Sequence, residues 1–138
     1  MDLTKTFPRS PNEKMGGLVH FPRMIDKARA FSQKTLGEYI FPCPLDKIIL
    51  NFLETGAEEL IQIATTQDDG QISQWIEEKC KAHNPHEIKT VNRQIIERKP
   101  DSEDRMKYFL EILNKIDPTR TEITTWVELI DLEEGRSG

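Results

Sequence analysis

The chain has 138 residues, of which 31% are charged, and its net charge at pH 7 is -5. Because nucleic acids and anionic membranes attract basic surfaces, this acidic balance argues against a general affinity for either of them. The apolar runs fall well short of the roughly 18 residues that span a bilayer, and the length suits one domain with its own core.

An extended arm at residues 1–17 is predicted ahead of a single helical domain at residues 18–138. Two prolines and a final glycine pair oppose a continuous helix in the arm. The arm either packs on the domain, with Phe7 as one anchor, or is partly disordered. Its polar start has no apolar signal core, and two cysteines are too few for a disulfide framework, so we expect a cytoplasmic protein.

The first three helices follow from apolar periodicity and from helix-start signals. Residues 21–34 repeat apolar side chains at helical spacing, with a proline in the first turn and Gly37 as a stop in the loop that follows. A second helix begins at Pro44 and carries an unbroken apolar stripe. Thr55 and Glu58 have the spacing of a capping box, which predicts the start of a third helix.

Four further helices are predicted from capping residues. The expected caps are Asp68 or Asp69, Asn84 with Glu87, Asp101 or Ser102, and Thr125 with Glu128. The longest of these helices carries the apolar stripe Met106, Phe109, Leu110, Leu113 and Ile116. No segment alternates apolar and polar residues with β-branched enrichment, so no substantial sheet is expected. The prediction is an all-α, compact single-domain bundle of six or seven short helices.

The first helix carries the leading candidate site on its charged face. The residues of this face are Arg23, Asp26, Lys27, Ala30 and Lys34. The simplest interpretation is a solvated face with weak ion pairs, in which Asp26 pairs with Arg23 or Arg29. Alternatively, Arg23 and Lys27 bind an anion together, and Asp26 orients one of them or acts as a base. A third interpretation is a face that docks a protein.

Cys43 and Tyr39 are further candidates between the first two helices. Cys43 precedes a helix whose dipole could lower the pKa of the thiol, and His20 is the only histidine in this part of the chain that could serve as its base. The more ordinary interpretation of Cys43 is a small buried residue. Tyr39 is expected to pack its ring and find one partner for its hydroxyl group. Asp46 suits the positive end of the second helix.

A metal site has only weak candidates in the sequence. Cys80, His83 and His86 are ligand types for zinc, but Pro85 interrupts the helix between them and no second cysteine pair follows. No metal and no cofactor are therefore expected. The motifs GxxxxGK, GxGxxG, GxSxG and HExxH are absent, which removes the common nucleotide-binding and hydrolase signatures.

Several segments resemble a bacterial family of short, mostly helical proteins described as a domain of unknown function. The segments are DLTKTFPRSP, GGLVHFPRMIDKARA, LGEY, CPLD and TTWVELIDLEEGR. The positions that match the family motifs are Pro8, Arg9, Pro11, Gly17, Arg23, Asp26, Lys27, Gly37, Tyr39, Pro44 and Asp46. The resemblance implies a free-standing bacterial cytosolic domain, and it implies no particular activity.

These matched positions lead to a hypothesis about function. We expect the arm to fold back over the first helix, so that Arg9, Arg23, Lys27 and Tyr39 line one polar pocket and Asp26 holds the cations in place. The protein would then be a binding module for a small anionic metabolite or a partner protein. The alternative is a small enzyme that uses Asp26, Lys27 and Tyr39 for acid–base or Schiff-base chemistry. The sequence leaves the ligand and the oligomeric state open.

Overall fold

A computed structural model describes residues 1–136 of the chain. In chain order its elements are β1 (Lys14–Met15), β2 (Leu18–Val19), α1 (Phe21–Ser32), α2 (Pro44–Leu53), α3 (Ala57–Thr66), α4 (Asp69–Cys80), α5 (Pro85–Ile96), α6 (Glu103–Ile116) and α7 (Trp126–Glu133). The mostly helical prediction is confirmed, because the two strands are only two residues long and pair with each other as a single antiparallel hairpin. Within residues 1–136, no helix has the length and apolar character that a membrane span needs.

Helix α1 is the centre of the fold. It packs mainly on α3 and also contacts α2 and β1. All residues from Phe21 to Ala28 are buried, including the charged side chains of Arg23, Asp26 and Lys27. The interpretation of a solvated charged face is therefore wrong, because neighbouring segments cover this face and provide opposite charges. Among the residues of the predicted charged face, only Lys34 is exposed, and it lies beyond the end of α1.

The predicted capping residues lie at the starts of most of the helices. The side chains that accept a hydrogen bond from the backbone N–H three residues later are Asp68, Asn84, Ser102 and Thr125. Helix α3 forms where it was predicted, but its predicted cap is wrong, because Gly56 is the N-cap and the hydroxyl group of Thr55 donates to the carbonyl oxygen of Leu53 instead. Side-chain capping is thus the rule for α4 to α7 and not for α3.

The predicted end of the first helix also needs correction. Helix α1 ends at Ser32, and Gln33 and Lys34 already leave the helical conformation. Gly37, the predicted stop, lies in the following loop with a φ of 64°. A Cβ atom added at Gly37 would lie 3.3 Å from the carbonyl oxygen of Leu3, so this glycine allows the arm to approach the loop closely.

A second, smaller core joins α6 to α7. Its buried residues are Phe109, Leu113, Ile123, Leu129 and Leu132. The wide apolar stripe predicted for α6 is only partly correct, because Met106 and Leu110 are 43% and 45% exposed. Helix α6 packs mainly against one neighbour, α7, and such a contact buries only a narrow strip of a helix surface.

The arm at residues 1–17 packs on the helices. The N–H of Leu3 donates to the carbonyl oxygen of Thr35 at 2.9 Å, and the hydroxyl group of Ser10 donates to the carboxylate of Asp131 at 2.9 Å. Gly16 has a φ of 60°, and a Cβ atom there would lie 2.5 Å from the Cγ2 atom of Ile76. These contacts place the arm beside α1 and beside the end of α7.

Candidate functional site

The three buried charged side chains of α1 have three separate partners. The pairs are Arg23 with Glu134 at 2.7 Å, Asp26 with Arg9 at 3.0 Å, and Lys27 with Asp46 at 2.7 Å. The partners come from the end of α7, from the arm and from α2. Burying a charge is costly unless it is paired, so each partner offsets a desolvation penalty. We call the residues of these pairs, together with His20, Tyr39 and Cys43, the α1 network.

Asp46 is the best-connected residue of the α1 network. It is 0% exposed, its Oδ1 atom lies 2.6 Å from Nε2 of His20, and its Oδ2 atom accepts from Nζ of Lys27 at 2.7 Å and from the N–H of Cys43 at 2.9 Å. Burial by itself would raise the pKa of Asp46, but the hydrogen bond from His20 and the charge of Lys27 outweigh it and hold the pKa well below its usual range. Asp46 is therefore an ionised carboxylate that ties α1 to α2.

His20 is a buried residue with an uncommon backbone. It precedes α1 with a φ of 70° and is 1% exposed. Burial lowers the pKa of His20, although the hydrogen bond with Asp46 opposes this effect. The neutral ring therefore donates its Nε2–H to the ionised Asp46, and the Nδ1 atom keeps a lone pair. Nδ1 has no hydrogen-bond partner within the described part of the chain.

Cys43 lies in the same cluster as His20, a proximity that the sequence could not reveal. Nζ of Lys27 donates to the Sγ atom of Cys43 at 3.2 Å. Burial and then the negative charge of Asp46 raise the pKa of the Cys43 thiol, although Lys27 opposes them. This is the opposite of the lowering considered from the helix dipole, because burial penalises the thiolate and Asp46 adds a negative charge at the start of α2. The thiol is thus protonated at neutral pH.

Metal-ligand atoms come together at one place among residues 1–136. His20, Cys43 and Asp46 bring such atoms within 4.8 Å of one another. Lys27 contacts two of these three side chains, at 2.7 Å from Asp46 and 3.2 Å from Cys43. Its ammonium group supplies the positive charge that the carboxylate needs, so a metal ion would have to displace Lys27.

The metal candidates from the sequence have other partners. His83 stacks on Phe52, with 4.0 Å between the ring centroids, and its Nδ1 atom lies 3.3 Å from a carboxylate oxygen of Glu87. Cys80 is buried in the main core, and His86 is exposed at the start of α5. Within the described residues, these side chains do not form a group with ligand atoms close enough for one metal ion.

Glu134 joins Arg23 to Tyr39. The two Nη atoms of Arg23 donate to the carboxylate of Glu134 at 2.8 and 2.7 Å, and the hydroxyl group of Tyr39 donates to it at 2.9 Å. Burial and the charge of Glu134 raise the pKa of Tyr39 to about 12, so the phenol stays protonated at neutral pH. Sequence reasoning missed Glu134 because it is one of several acidic residues near the C-terminus and no spacing marks it.

A cleft of about 420 Å³, which we call the arm cleft, lies beside the arm. Its cationic lining comes from Arg9, Arg29 and Arg136, whose side chains are 28%, 23% and 29% exposed. Glu13, Asp26 and Asp69 also line it, as do Met1, Phe7 and Pro8. The cleft therefore combines guanidinium groups that solvent can reach with an apolar wall and internal counter-charges.

Asp69 bridges two guanidinium groups of the arm cleft. Its Oδ2 atom lies 2.9 Å from Nη1 of Arg9, and its Oδ1 atom lies 3.0 Å from Nη1 of Arg29. The side chain of Asp69 is 49% exposed, whereas that of Asp26, the other partner of Arg9, is 2% exposed. The roles of the two carboxylates therefore differ. The buried Asp26 anchors the arm, whereas the half-exposed Asp69 can turn into solvent.

A larger groove of about 610 Å³ runs beside α5. Its lining includes Ile48, Thr90, Arg93, Gln94, Glu97 and Arg98, all of them exposed or only partly buried. Arg93 pairs with Glu97 at 3.6 Å within one helix. This is the pattern of an ordinary solvated helix face.

The predicted ligand-binding residues are thus divided between two places. Arg9 belongs to the α1 network and also lines the arm cleft, whereas Arg23, Lys27 and Tyr39 belong to the α1 network and do not line the cleft. Arg29, Asp69 and Arg136 complete the arm cleft, and they were not among the predicted site residues. Arg29 stood in the sequence as a possible partner of Asp26, but it donates instead to the carbonyl oxygen of Ala64 at 2.9 Å.

A comparison with models of protein families gives a match. A model of the family described as Domain of unknown function (DUF5069) matches residues 5–136. The match includes all seven helices, the whole α1 network and every residue named above for the arm cleft except Met1. No curated protein matches the chain.

Proposed function

The chain belongs to the family Domain of unknown function (DUF5069), whose description assigns no activity, and we propose a function from the geometry of the chain itself. The proposed function is the binding of a small anionic ligand, a carboxylate or a phosphate, in the arm cleft. The observation that carries the proposal is the bridge from Asp69 to Arg9 and Arg29. Planar guanidinium groups that both hold one internal carboxylate fit an external carboxylate or phosphate in the same position.

The exposure of Asp69 supports its replacement by a ligand. Ion pairs at partly exposed positions contribute only about 0.2–1 kcal/mol each, so breaking the contacts of Asp69 costs little. Asp69 is also the first residue of α4, and the positive end of that helix favours any anion that takes its place. Without a ligand, the carboxylate of Asp69 therefore bridges Arg9 and Arg29, and it competes only weakly with a ligand for these two guanidinium groups.

The α1 network has a positioning role in this proposal. Nη1 of Arg23 donates to the carbonyl oxygen of Arg9 at 3.2 Å, and Asp26 accepts from both the backbone N–H and the side chain of Arg9. The backbone and the guanidinium group of Arg9 are thereby fixed from two sides. A fixed binding group loses less conformational entropy when a ligand binds, which favours affinity.

The test is the variant Asp69→Asn, studied by calorimetric titration with inorganic phosphate and with acetate. Removal of the competing charge is expected to tighten phosphate binding about fivefold, which corresponds to about 1 kcal/mol for two partly exposed pairs. This variant is preferable to a substitution of Arg29, because Arg29 also holds two backbone carbonyl groups of the α3 end, at Ala64 and Gln67.

A matched control separates this effect from the loss of one negative charge on the protein. Asp101→Asn removes an exposed carboxylate that pairs with Arg105 at 3.4 Å, outside the arm cleft. Phosphate affinity is expected to stay at the wild-type value in this control. Equal affinities in Asp69→Asn and wild type, or an equal gain in both variants, would contradict the proposal.

The enzymatic alternative has weaker support from the geometry. Asp26, Lys27 and Tyr39 face three different partners, and Lys27 donates to the ionised Asp46 at 2.7 Å. Schiff-base formation needs an Nζ atom that is free to attack a carbonyl group, whereas this Nζ atom is engaged with Asp46 and with the Sγ atom of Cys43. Borohydride reduction in the presence of a simple aldehyde, followed by peptide mapping, tests the alternative. Under the binding proposal, Lys27 stays unmodified.

A further inference from the structure

We propose that the ligand of the arm cleft carries an aromatic ring next to its anionic group. This inference rests on the proposed function and specifies the class of ligand. The observation behind it is that Phe7 lines the same cleft as the guanidinium groups and is 53% exposed. An aromatic ring beside an anion position fits a ligand that presents both features.

The backbone around Phe7 is fixed by hydrogen bonds on both sides of this residue. The N–H groups of Lys5 and Thr6 both donate to the carbonyl oxygen of Asp2 at 3.2 Å, which forms a turn before Phe7. On the other side, Pro8 is buried, and its carbonyl oxygen accepts a hydrogen bond from Arg136. The phenyl ring therefore stands on an ordered stretch of the arm. A ring carried on an ordered backbone loses less conformational entropy when it stacks on a ligand than a ring on a disordered arm would.

The ring of Phe7 and the guanidinium group of Arg9 are neighbours in the sequence as well as in the arm cleft. Phe7 and Arg9 are two positions apart in an extended segment, and both line the arm cleft. Single exposed apolar side chains are common and need no special explanation. Here, however, the exposed ring shares a cleft with a carboxylate bridge between two guanidinium groups, and arginine also stacks well on aromatic faces. The volume of about 420 Å³ suits one small aromatic anion.

The experiment compares four probes by calorimetric titration at constant ionic strength. They are inorganic phosphate, butyl phosphate, phenyl phosphate and adenosine monophosphate, at about pH 8, well above the second pKa of phosphate esters. Phenyl phosphate is expected to bind about threefold to tenfold more tightly than inorganic phosphate, and butyl phosphate is expected to fall short of it. The gain for adenosine monophosphate, compared with that for phenyl phosphate, distinguishes a nucleotide from a simple aryl anion.

The variant Phe7→Ala is expected to remove the aromatic gain, measured within the variant as the ratio of the affinities for phenyl phosphate and inorganic phosphate. The control Phe31→Ala truncates a ring that is 47% exposed and lies outside the arm cleft, and the aromatic gain is expected to persist. A gain for either aromatic probe that depends on Phe7 supports the inference.

Three results would overturn the inference. One is phosphate binding without any aromatic gain, another is a gain that survives Phe7→Ala, and the third is an equal gain from butyl phosphate. Each of them leaves the binding of an anion in place. If phosphate binding is absent and Asp69→Asn has no effect, the proposed function fails and this inference fails with it.

Discussion

The substitution Lys27→Met tests the energetics of the α1 network most directly. Met keeps most of the length and the apolar stem of Lys27 but removes the ammonium group that donates to Asp46 at 2.7 Å. The side chains of this pair are 4% and 0% exposed. The substitution therefore leaves a buried carboxylate without its principal cation, while the packing of α1 changes little.

The expected loss in the free energy of unfolding is about 3–5 kcal/mol, the usual cost of removing one member of a buried ion pair. For a domain of this size, such a loss corresponds to a fall in the melting temperature of roughly 10–20 °C. His20 contacts the same carboxylate and can become protonated, which replaces part of the missing charge. The deficit is therefore expected to shrink as the pH falls from about 8 towards about 5.

Urea unfolding of wild type and variant at several pH values is the appropriate assay. The matched control is Lys81→Met, because Lys81 pairs with Glu78 at 3.1 Å and both side chains are more than 70% exposed. The control is expected to lose less than about 1 kcal/mol. If Lys27→Met also loses less than about 1 kcal/mol, Asp46 is stable without the ammonium group and the reasoning is refuted.

Three further predictions concern pH, a glycine and the arm. Because burial lowers the pKa of folded His20, the unfolded chain binds the proton first as the pH falls, and the free energy of unfolding decreases below about pH 6.5 by up to about 1.4 kcal/mol per pH unit. Urea titrations should show that His20→Asn loses this pH dependence, whereas His86→Asn keeps it. Gly16→Ala should cost about 1–3 kcal/mol in urea unfolding, because Gly16 has a φ of 60° and an added Cβ atom would lie 2.5 Å from the Cγ2 atom of Ile76. A negligible effect would contradict this account. Asp26→Asn weakens the anchor of the arm, so hydrogen exchange at the arm amides should speed up about tenfold; unchanged exchange would mean that other contacts hold the arm.

The sequence alone was sufficient for most of the helices. Asn84 with Glu87 and Thr125 with Glu128 form capping boxes as predicted, because both partners of a capping box lie within one turn of the chain. Thr55 shows the limit of such signals, since its hydroxyl group had a competing carbonyl group within reach. Local chemistry located the helices, and only their exact ends needed the structure.

The charged face of α1 shows what the sequence could not settle. The spacing of Arg23, Asp26 and Lys27 was visible, but a solvated face, an anion site and a docking face all agreed with it. The outcome depended on partners far along the chain, such as Glu134, which lies 111 residues from Arg23. No local pattern encodes contacts of that range.

The helices and most of their caps could be predicted from the amino-acid sequence, because these features depend on neighbours within a few positions. The packing of distant segments determines which charges are buried, which carboxylate neutralises each cation, and which guanidinium groups remain accessible in the arm cleft. This is so because the state of a charge depends on its desolvation and on its nearest opposite charge. Both are set by how the arm, α2, α4 and the end of α7 meet around α1.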